Sequence, residues 1–269
     1  MPELPEVENV RRTVAATAVG RLVISAVHVP NAGIPVLRGD AGVLNGGAVV
    51  DVRRHGKQLA LIGETGAVAV HLGMTGRLLR LDADTPDPPH THLSWLLDTG
   101  DRLAFSDPRR FGGVWSFDSD EALRCARWSR LGPDALRIGP AALHAGLSRT
   151  RRHLKCALLD QSVVAGLGNI YVDELLFNTG FAPERPADTL SRRDSERLVR
   201  AMRSLLRRAI DAGGSTLRDY VDAEGAAGGF QHRHRVYGRG GRPCRRCRRT
   251  LEKLLIAQRT TVWCPTCQR

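Results

Sequence analysis

Cys244-Arg-Arg-Cys247 and, after sixteen intervening residues, Cys264-Pro-Thr-Cys267 decide how the end of this chain folds. Each Cys-x-x-Cys pair forms a tight knuckle that turns two thiolates toward one point. Two knuckles complete a tetrahedron around one metal, and four sulfur ligands mark zinc. No coordination position is left open, so one structural Zn2+ is expected rather than a catalytic ion. The link between the pairs carries Leu251, Leu254, Leu255 and Ile256, then Gln258-Arg259-Thr260, and suits a β-hairpin held by the metal. An arginine at such a hairpin can enter a groove or grip a phosphate. In so basic a tail it serves equally well as a solvated charge.

Working outward, residues 232–269 hold eleven Lys or Arg against one acid, Glu252. The whole chain has 40 Lys and Arg against 28 Asp and Glu, a net charge of +12. That excess points to a polyanionic partner, above all nucleic acid. A length of 269 residues with 42% hydrophobic content is enough for two medium domains with packed cores. Cys125 and Cys156 read as ordinary thiols, and nothing resembles a disulfide framework. The amino terminus, MPELPEVENV, has neither the basic nor the apolar region of a signal peptide. No run of about 18 apolar residues exists to span a bilayer. These features lead to the expectation of a soluble, monomeric protein of a reducing cytoplasm with no membrane partner.

Residues 5–18 predict a helix, with Pro5 in the first turn, Glu6 and Glu8 at its positive end, and Val7, Val10 and Val14 on one face. Eight β-rich runs follow: 22–29, 48–52, 59–62, 68–71, 78–81, 93–97, 103–105 and 114–117. Their spacing suggests a β-sandwich or barrel. From about 120 the pattern is helical. Helices are expected over 154–164, over 170–178 after the turn Gly166-Leu167-Gly168-Asn169, and from a Ser191/Asp194 capping box to about Ala212. Residues 222–230 are Gly/Ala-rich and read as mobile.

Pro2 would become a secondary amine if Met1 were removed. An α-amino group has a pKa of about 7.7–8.0, so roughly 10% is neutral at pH 7, against roughly 0.04% of a lysine. Such an amine attacking a sugar C1′ gives an iminium, an electron sink that makes the C2′ proton acidic. Glu3 and Glu6 beside it could move protons. On spacing alone, Pro-Glu is also an ordinary helix start.

PELPEVE at 2–8, HGK at 55–57, HLGMTG at 71–76, DPRRFG at 107–112, GLGNIYVDE at 166–174, VYGR at 236–239 and the cysteine pairs with QRTT at 258–261 occur in one order. Together they resemble the formamidopyrimidine-DNA glycosylase/endonuclease VIII family over essentially the whole chain. The resemblance implies an α+β, multidomain fold: an N-terminal helix plus β-sandwich (1–130), a helix-two-turns-helix domain with a lesion-capping loop (131–231), and a zinc β-hairpin finger (232–269). It implies a bifunctional DNA glycosylase and abasic-site lyase of base excision repair, acting on duplex DNA with oxidised bases or abasic sites, with DNA in a cleft between the halves. Pro2 would form the Schiff base, Glu3 would protonate the deoxyribose, and Glu6 would assist. Lys57 would serve β-elimination and phosphate binding, and Arg259 phosphate binding and δ-elimination. His71 and Asn169 would join them on the phosphates. Met74, Arg109 and Phe111 would fill the void left by the extruded nucleotide. His90, Arg151 and Lys155 would add DNA contacts.

The Met74/Arg109/Phe111 set favours oxidised purines, 8-oxoguanine and formamidopyrimidines. An endonuclease VIII-like enzyme for oxidised pyrimidines shares Pro2, Glu3 and the finger. A non-catalytic zinc-finger binder of damaged DNA accounts for the charge and the cysteines but not for Pro2, Glu3 and Lys57 together.

Overall fold

The structure is a computed structural model that describes residues 2–29 and 34–269. The chain divides into two compact units, Met1–Arg130 with Ile210–Gly229, and Leu131–Ala209 with Phe230–Arg269.

The first unit opens with α1 (Leu4–Ala18), in which Pro5 occupies the first turn, where its missing N–H costs nothing. Leu4, Val7, Val10, Val14 and Ala18 are buried. Each such Val or Leu contributes about 1.5–3 kcal/mol. Nine strands follow among the described residues: β1 (Val23–His28), β2 (Leu37–Arg38), β3 (Val49–His55), β4 (Gln58–Gly63), β5 (Ala67–His71), β6 (Arg77–Leu81), β7 (Thr91–Leu97), β8 (Arg102–Ser106) and β9 (Gly113–Phe117). They form a four-stranded sheet, β1-β7-β8-β6, and a five-stranded sheet, β2-β9-β5-β4-β3. Val52, Leu59, Leu61, Val68 and Val70 from one sheet share a core with Leu78, Leu93, Trp95, Leu103 and Phe105 from the other, joined by the apolar face of α1. This is the expected helix-plus-sandwich. All eight β-rich runs are strands. The ninth, β2, is two residues long and pairs parallel with β9, too short to leave a periodic signal. The short helix α2 (Asp120–Leu123) then covers the outer face of the five-stranded sheet, with Leu123 packed among Ala60, Ile62, Ala67 and Ala69.

The second unit carries α3 (Pro140–Leu147), α4 (Leu154–Leu159), α5 (Asn169–Thr179), most of α6 (Arg192–Asp211) and the hairpin β10 (Glu252–Ile256) with β11 (Arg259–Trp263). The Ser191/Asp194 box is present: Ser191 N donates to Asp194 Oδ2 at 3.1 Å, and Asp194 N to Ser191 Oγ at 3.1 Å. The helix expected over 154–164 stops at Leu159. Asp160 accepts from Ser162 N (2.9 Å) and Ser162 Oγ (2.6 Å), a local turn that outcompetes the next helical bonds. Among the described residues no helix is long and apolar enough to cross a membrane.

Candidate active site and nucleic-acid interface

In the first unit, the start of α1 is sealed in the interior. Pro2 is buried, and Glu3 and Glu6 are 2% and 1% exposed. Glu6 is the fastener. Its Oε2 accepts from Glu3 N at 2.8 Å and its Oε1 from Ser215 N at 2.7 Å. Tyr220 OH donates to the Glu6 carbonyl at 3.2 Å. Both carboxylate oxygens thus accept backbone N–H groups, and Glu6 positions the residues beside it. Gly214 makes this approach possible: at φ +83° a side chain there is strained, and its Cβ would lie 2.9 Å from Glu6 Oε1. The expectation concerning Met1 falls outside the described residues.

The 222–230 stretch, expected to be mobile, is anchored over its first part. Ala223 is fully buried and its carbonyl accepts from Arg80 N at 2.8 Å. Asp222 Oδ1 accepts from Glu224 N and Ala226 N at 3.0 and 2.9 Å. Composition registers the glycines but not the aspartate that turns the chain.

Lys57 follows Gly56 in the two-residue turn between β3 and β4, where Gly56 has φ +58° and His55 pairs with Gln58. A glycine at that first turn position matches the twist of the flanking strands. Gln58 pairs in turn with His71 at the end of β5, which places Lys57 and His71 at one sheet end. Burial pushes the His71 pKa down to about 4, helped by the charges of Lys57 and Arg127 and opposed by Asp107. His71 Nδ1 accepts from Gly73 N at 3.1 Å, leaving the proton of the neutral ring on Nε2. His71 therefore presents Nε2–H as a neutral hydrogen-bond donor. An NMR titration should find this ring uncharged down to about pH 5. Its folded pKa lies below the usual 6.5, so its contribution to stability is present above pH 6.5 and lost as pH falls toward 4. Urea melts should show that loss, about 2–3 kcal/mol, diminished in His71→Gln.

Met74, Arg109 and Phe111 stand on two turns that meet. Met74 and Phe111 are 41% and 52% exposed, large apolar side chains kept out of the core. The Arg109 guanidinium lies over the Phe111 ring, 4.5 Å from its centroid. Gly73 permits the contact, since a Cβ there would sit 2.3 Å from Gly112 N. Asp107, fully buried, joins the turns. It accepts from Thr75 Oγ1 at 2.6 Å, Gly112 N at 2.7 Å and Arg109 N at 3.2 Å. Its own N–H donates to the carbonyl of His90, an exposed residue at φ +64°.

In the second unit, Arg259 is exposed at the start of β11, directly after the turn Ala257-Gln258. Asn169 opens α5 and its Nδ2 donates to the Thr260 carbonyl at 3.0 Å, so the helix start and the hairpin strand carrying Arg259 are adjacent. Arg151 is 94% exposed. Lys155 corrects the expectation: it is not a DNA contact. Its side chain is wholly buried, with Nζ 2.6 Å from Asp173 Oδ1 and 2.8 Å from Thr261 Oγ1. Leu154, Ala157 and Leu158 of the same short helix are buried with it, so this position faces the interior. The other Asp173 oxygen accepts from Val262 N at 3.1 Å.

Glu174 does similar work for the approach to the finger. Its carboxylate accepts from Arg235 N, Val236 N and Tyr237 N at 2.8–3.0 Å. Burial raises its pKa and these N–H groups lower it again, leaving a net rise. Asp107, Asp173, Glu174 and Tyr220 received no role from sequence. The signal for three of them was in view: Asp107 opens DPRRFG, and Asp173-Glu174 close GLGNIYVDE between apolar residues. Two adjacent acids inside an apolar helix are costly to bury unless each has partners.

The four Sγ atoms of Cys244, Cys247, Cys264 and Cys267 lie within 4.8 Å of one another. A tetrahedral Zn2+ with Zn–S near 2.3 Å needs sulfurs about 3.8 Å apart. Cys244–Cys267 and Cys247–Cys264 are at 4.0 and 3.4 Å, so the residues fit one zinc ion.

Three family models match the chain in order: the formamidopyrimidine-DNA glycosylase N-terminal domain over residues 1–114, its H2TH domain over 131–221, and the zinc finger found in FPG and IleRS over 241–269. A formamidopyrimidine-DNA glycosylase of Laribacter hongkongensis is 44% identical, with 100% of both chains covered. The MutM (FPG) protein of Thermus thermophilus superposes with a TM-score of 0.87 at 40% identity, over 99% of this chain and 98% of that one. A Lactococcus lactis FPG variant, solved in complex with a Fapy-dG containing DNA, superposes with a TM-score of 0.88 at 32% identity over 100% of both chains. With its helix-capped sandwich, its Asn169–hairpin junction and its four-thiolate centre, the chain belongs to the formamidopyrimidine-DNA glycosylase family.

Proposed function

We propose that the chain is a bifunctional DNA glycosylase and abasic-site lyase of base excision repair, excising 8-oxoguanine and formamidopyrimidines from duplex DNA. The observation that carries this reading is the start of α1, where Pro2 and Glu3 are buried and Glu6 fixes the Glu3 backbone. Binding energy spent there is spent on orientation. The secondary amine of Pro2, freed by loss of Met1, attacks C1′ of the extruded nucleotide. The C1′–N bond to the damaged base breaks, and the base leaves with the bonding pair and a proton. Glu3 protonates the ring oxygen O4′, the sugar opens, and the nitrogen lone pair forms an iminium with C1′. Loss of a C2′ proton expels the 3′-phosphate by β-elimination. Loss of a C4′ proton then expels the 5′-phosphate by δ-elimination.

Lys57, neutral His71, Asn169 and Arg259 bind the flanking phosphates. Met74, Arg109 and Phe111 occupy the void, Arg109 facing the widowed base. Zinc, held by the four cysteines, supplies structure to the hairpin that carries Arg259. In this reading residues 1–130 carry the chemistry, 131–231 and 232–269 hold the duplex, and the monomer works in the cytoplasm on nucleoid DNA.

Borohydride in the presence of abasic-site duplex should freeze the iminium as a covalent adduct. Pro2→Gly, or an amino-terminal extension, should lower the adduct yield by at least about a hundredfold. An equal yield from either variant overturns the mechanism. Cleavage of 8-oxoguanine:C duplex in preference to thymine glycol:A duplex tests the substrate class.

A further inference from the structure

A cavity of ≈ 550 Å³ in the second unit is lined by none of the side chains named above as catalytic or DNA-contacting. Arg208 of α6, His232, Arg233 and Arg235 before the finger, and Arg245 and Arg246 between the first two cysteines line it. Among the described residues no carboxylate stands within ion-pair distance of any of these five arginines. The one acid in the lining, Glu174, is committed to the backbone N–H groups of residues 235–237. Glu174 also feels the charge of Arg235, but one carboxylate among five arginines leaves a large positive excess; like charges in excess repel, and a bound anion relieves that repulsion.

Two of the cations are already oriented. The Arg246 guanidinium sits 4.6 Å from the Phe177 centroid and donates to the Phe177 carbonyl at 3.4 Å. Arg208 Nε donates to the Ser204 carbonyl at 3.3 Å. Pre-set guanidinium forks match phosphate oxygens, and little rotamer freedom remains to be lost on binding. The volume is that of a small-ligand site, commonly about 300–1,000 Å³, rather than of a track for a duplex.

We propose that this cavity is a second anion site that binds a compact oligophosphate, such as the triphosphate group of a nucleotide. One ligand of several charges neutralises the converging arginines at once, which a single phosphate cannot do. Calorimetry on the full-length zinc-loaded protein, with ATP and with inorganic tripolyphosphate as probes, tests it at about 0.15 M salt.

Both probes should bind, and Arg233→Glu with Arg245→Glu should weaken them by at least about tenfold while zinc content and borohydride trapping stay unchanged. ATP tighter than tripolyphosphate identifies a nucleotide ligand, and equal affinities identify the phosphate chain alone; either supports the site. If the double variant loses zinc, Arg208→Gln alone should still weaken both probes. No binding of either probe at about 1 mM overturns the proposal, as does unchanged affinity in variants that keep their zinc. Displacement of ATP by abasic-site duplex, with an equal loss of DNA affinity in the double variant, would assign the cavity to the DNA interface and also overturn it.

Discussion

Replacing Cys264 by serine, or stripping the metal with a chelator, is expected to melt the β10–β11 hairpin and to remove most affinity for abasic-site DNA. Zinc supplies about 10–16 kcal/mol of apparent binding energy in isolated finger peptides, and that energy is folding energy. The hairpin is two strands of five residues, and a lone two-stranded hairpin is marginal in water. Its turn adds to the burden. Ala257 and Gln258 both take φ near +50 to +60°, where residues other than Gly or Asn are strained. Arg259 and the Thr260 carbonyl bound by Asn169 ride on that hairpin, so losing the metal should scatter the phosphate contacts proposed for the second unit. Filter binding with abasic-site duplex should show a fall of at least about a hundredfold, with loss of one zinc per chain by metal analysis. Metal-free protein that binds such DNA as tightly as the zinc form would contradict this account.

Lys155→Met is expected to be the most damaging single substitution outside the metal centre. It should destabilise the second unit by about 3–5 kcal/mol, because it strands the Asp173 carboxylate in the interior. Burial already pushes Asp173 up to about 6, with Lys155 opposing the rise. A carboxyl raised in the folded state contributes stability that is present at low pH and lost as pH rises through its folded pKa. The deficit of Lys155→Met should therefore be larger at pH 8 than at pH 5. Pairing it with Asp173→Asn should recover much of the loss in urea melts. The salt dependence of DNA binding by the refolded variant should keep its slope, since a buried ammonium releases no counterions from a phosphate. A reduced slope would return Lys155 to the DNA contacts.

The gap between what the residues announced and what the structure adds has a physical pattern. The eight longer strands were legible because each alternates or clusters apolar residues between Gly, Asp and Pro. The zinc centre was legible because thiolate spacing has few other uses. Met74 and Phe111 as exposed side chains were not legible from composition, since apolar residues default to the core. What placed them outside was Gly73, Gly112 and the buried Asp107 between two turns 30 residues or more apart. Lys155 failed for the opposite reason. A lysine flanked by Arg151, Arg152 and His153 reads as one more surface cation, and its partner Asp173 lies 18 residues on. Long-range polar pairs leave no mark in any window of sequence.

The carboxylate of Glu6 bonds two stretches of backbone, one at Glu3 beside Pro2 and the other at Ser215, 209 residues beyond Glu6 itself. In the proposed mechanism, the amine and the loop after α6 are thereby geared to a single pivot. A change at Gly214 or Tyr220, far from Pro2 in the chain, would shift the start of α1, and with it the amine that the proposed mechanism uses. Any sequence change in this loop must be accommodated without loosening the axle on which both parts turn.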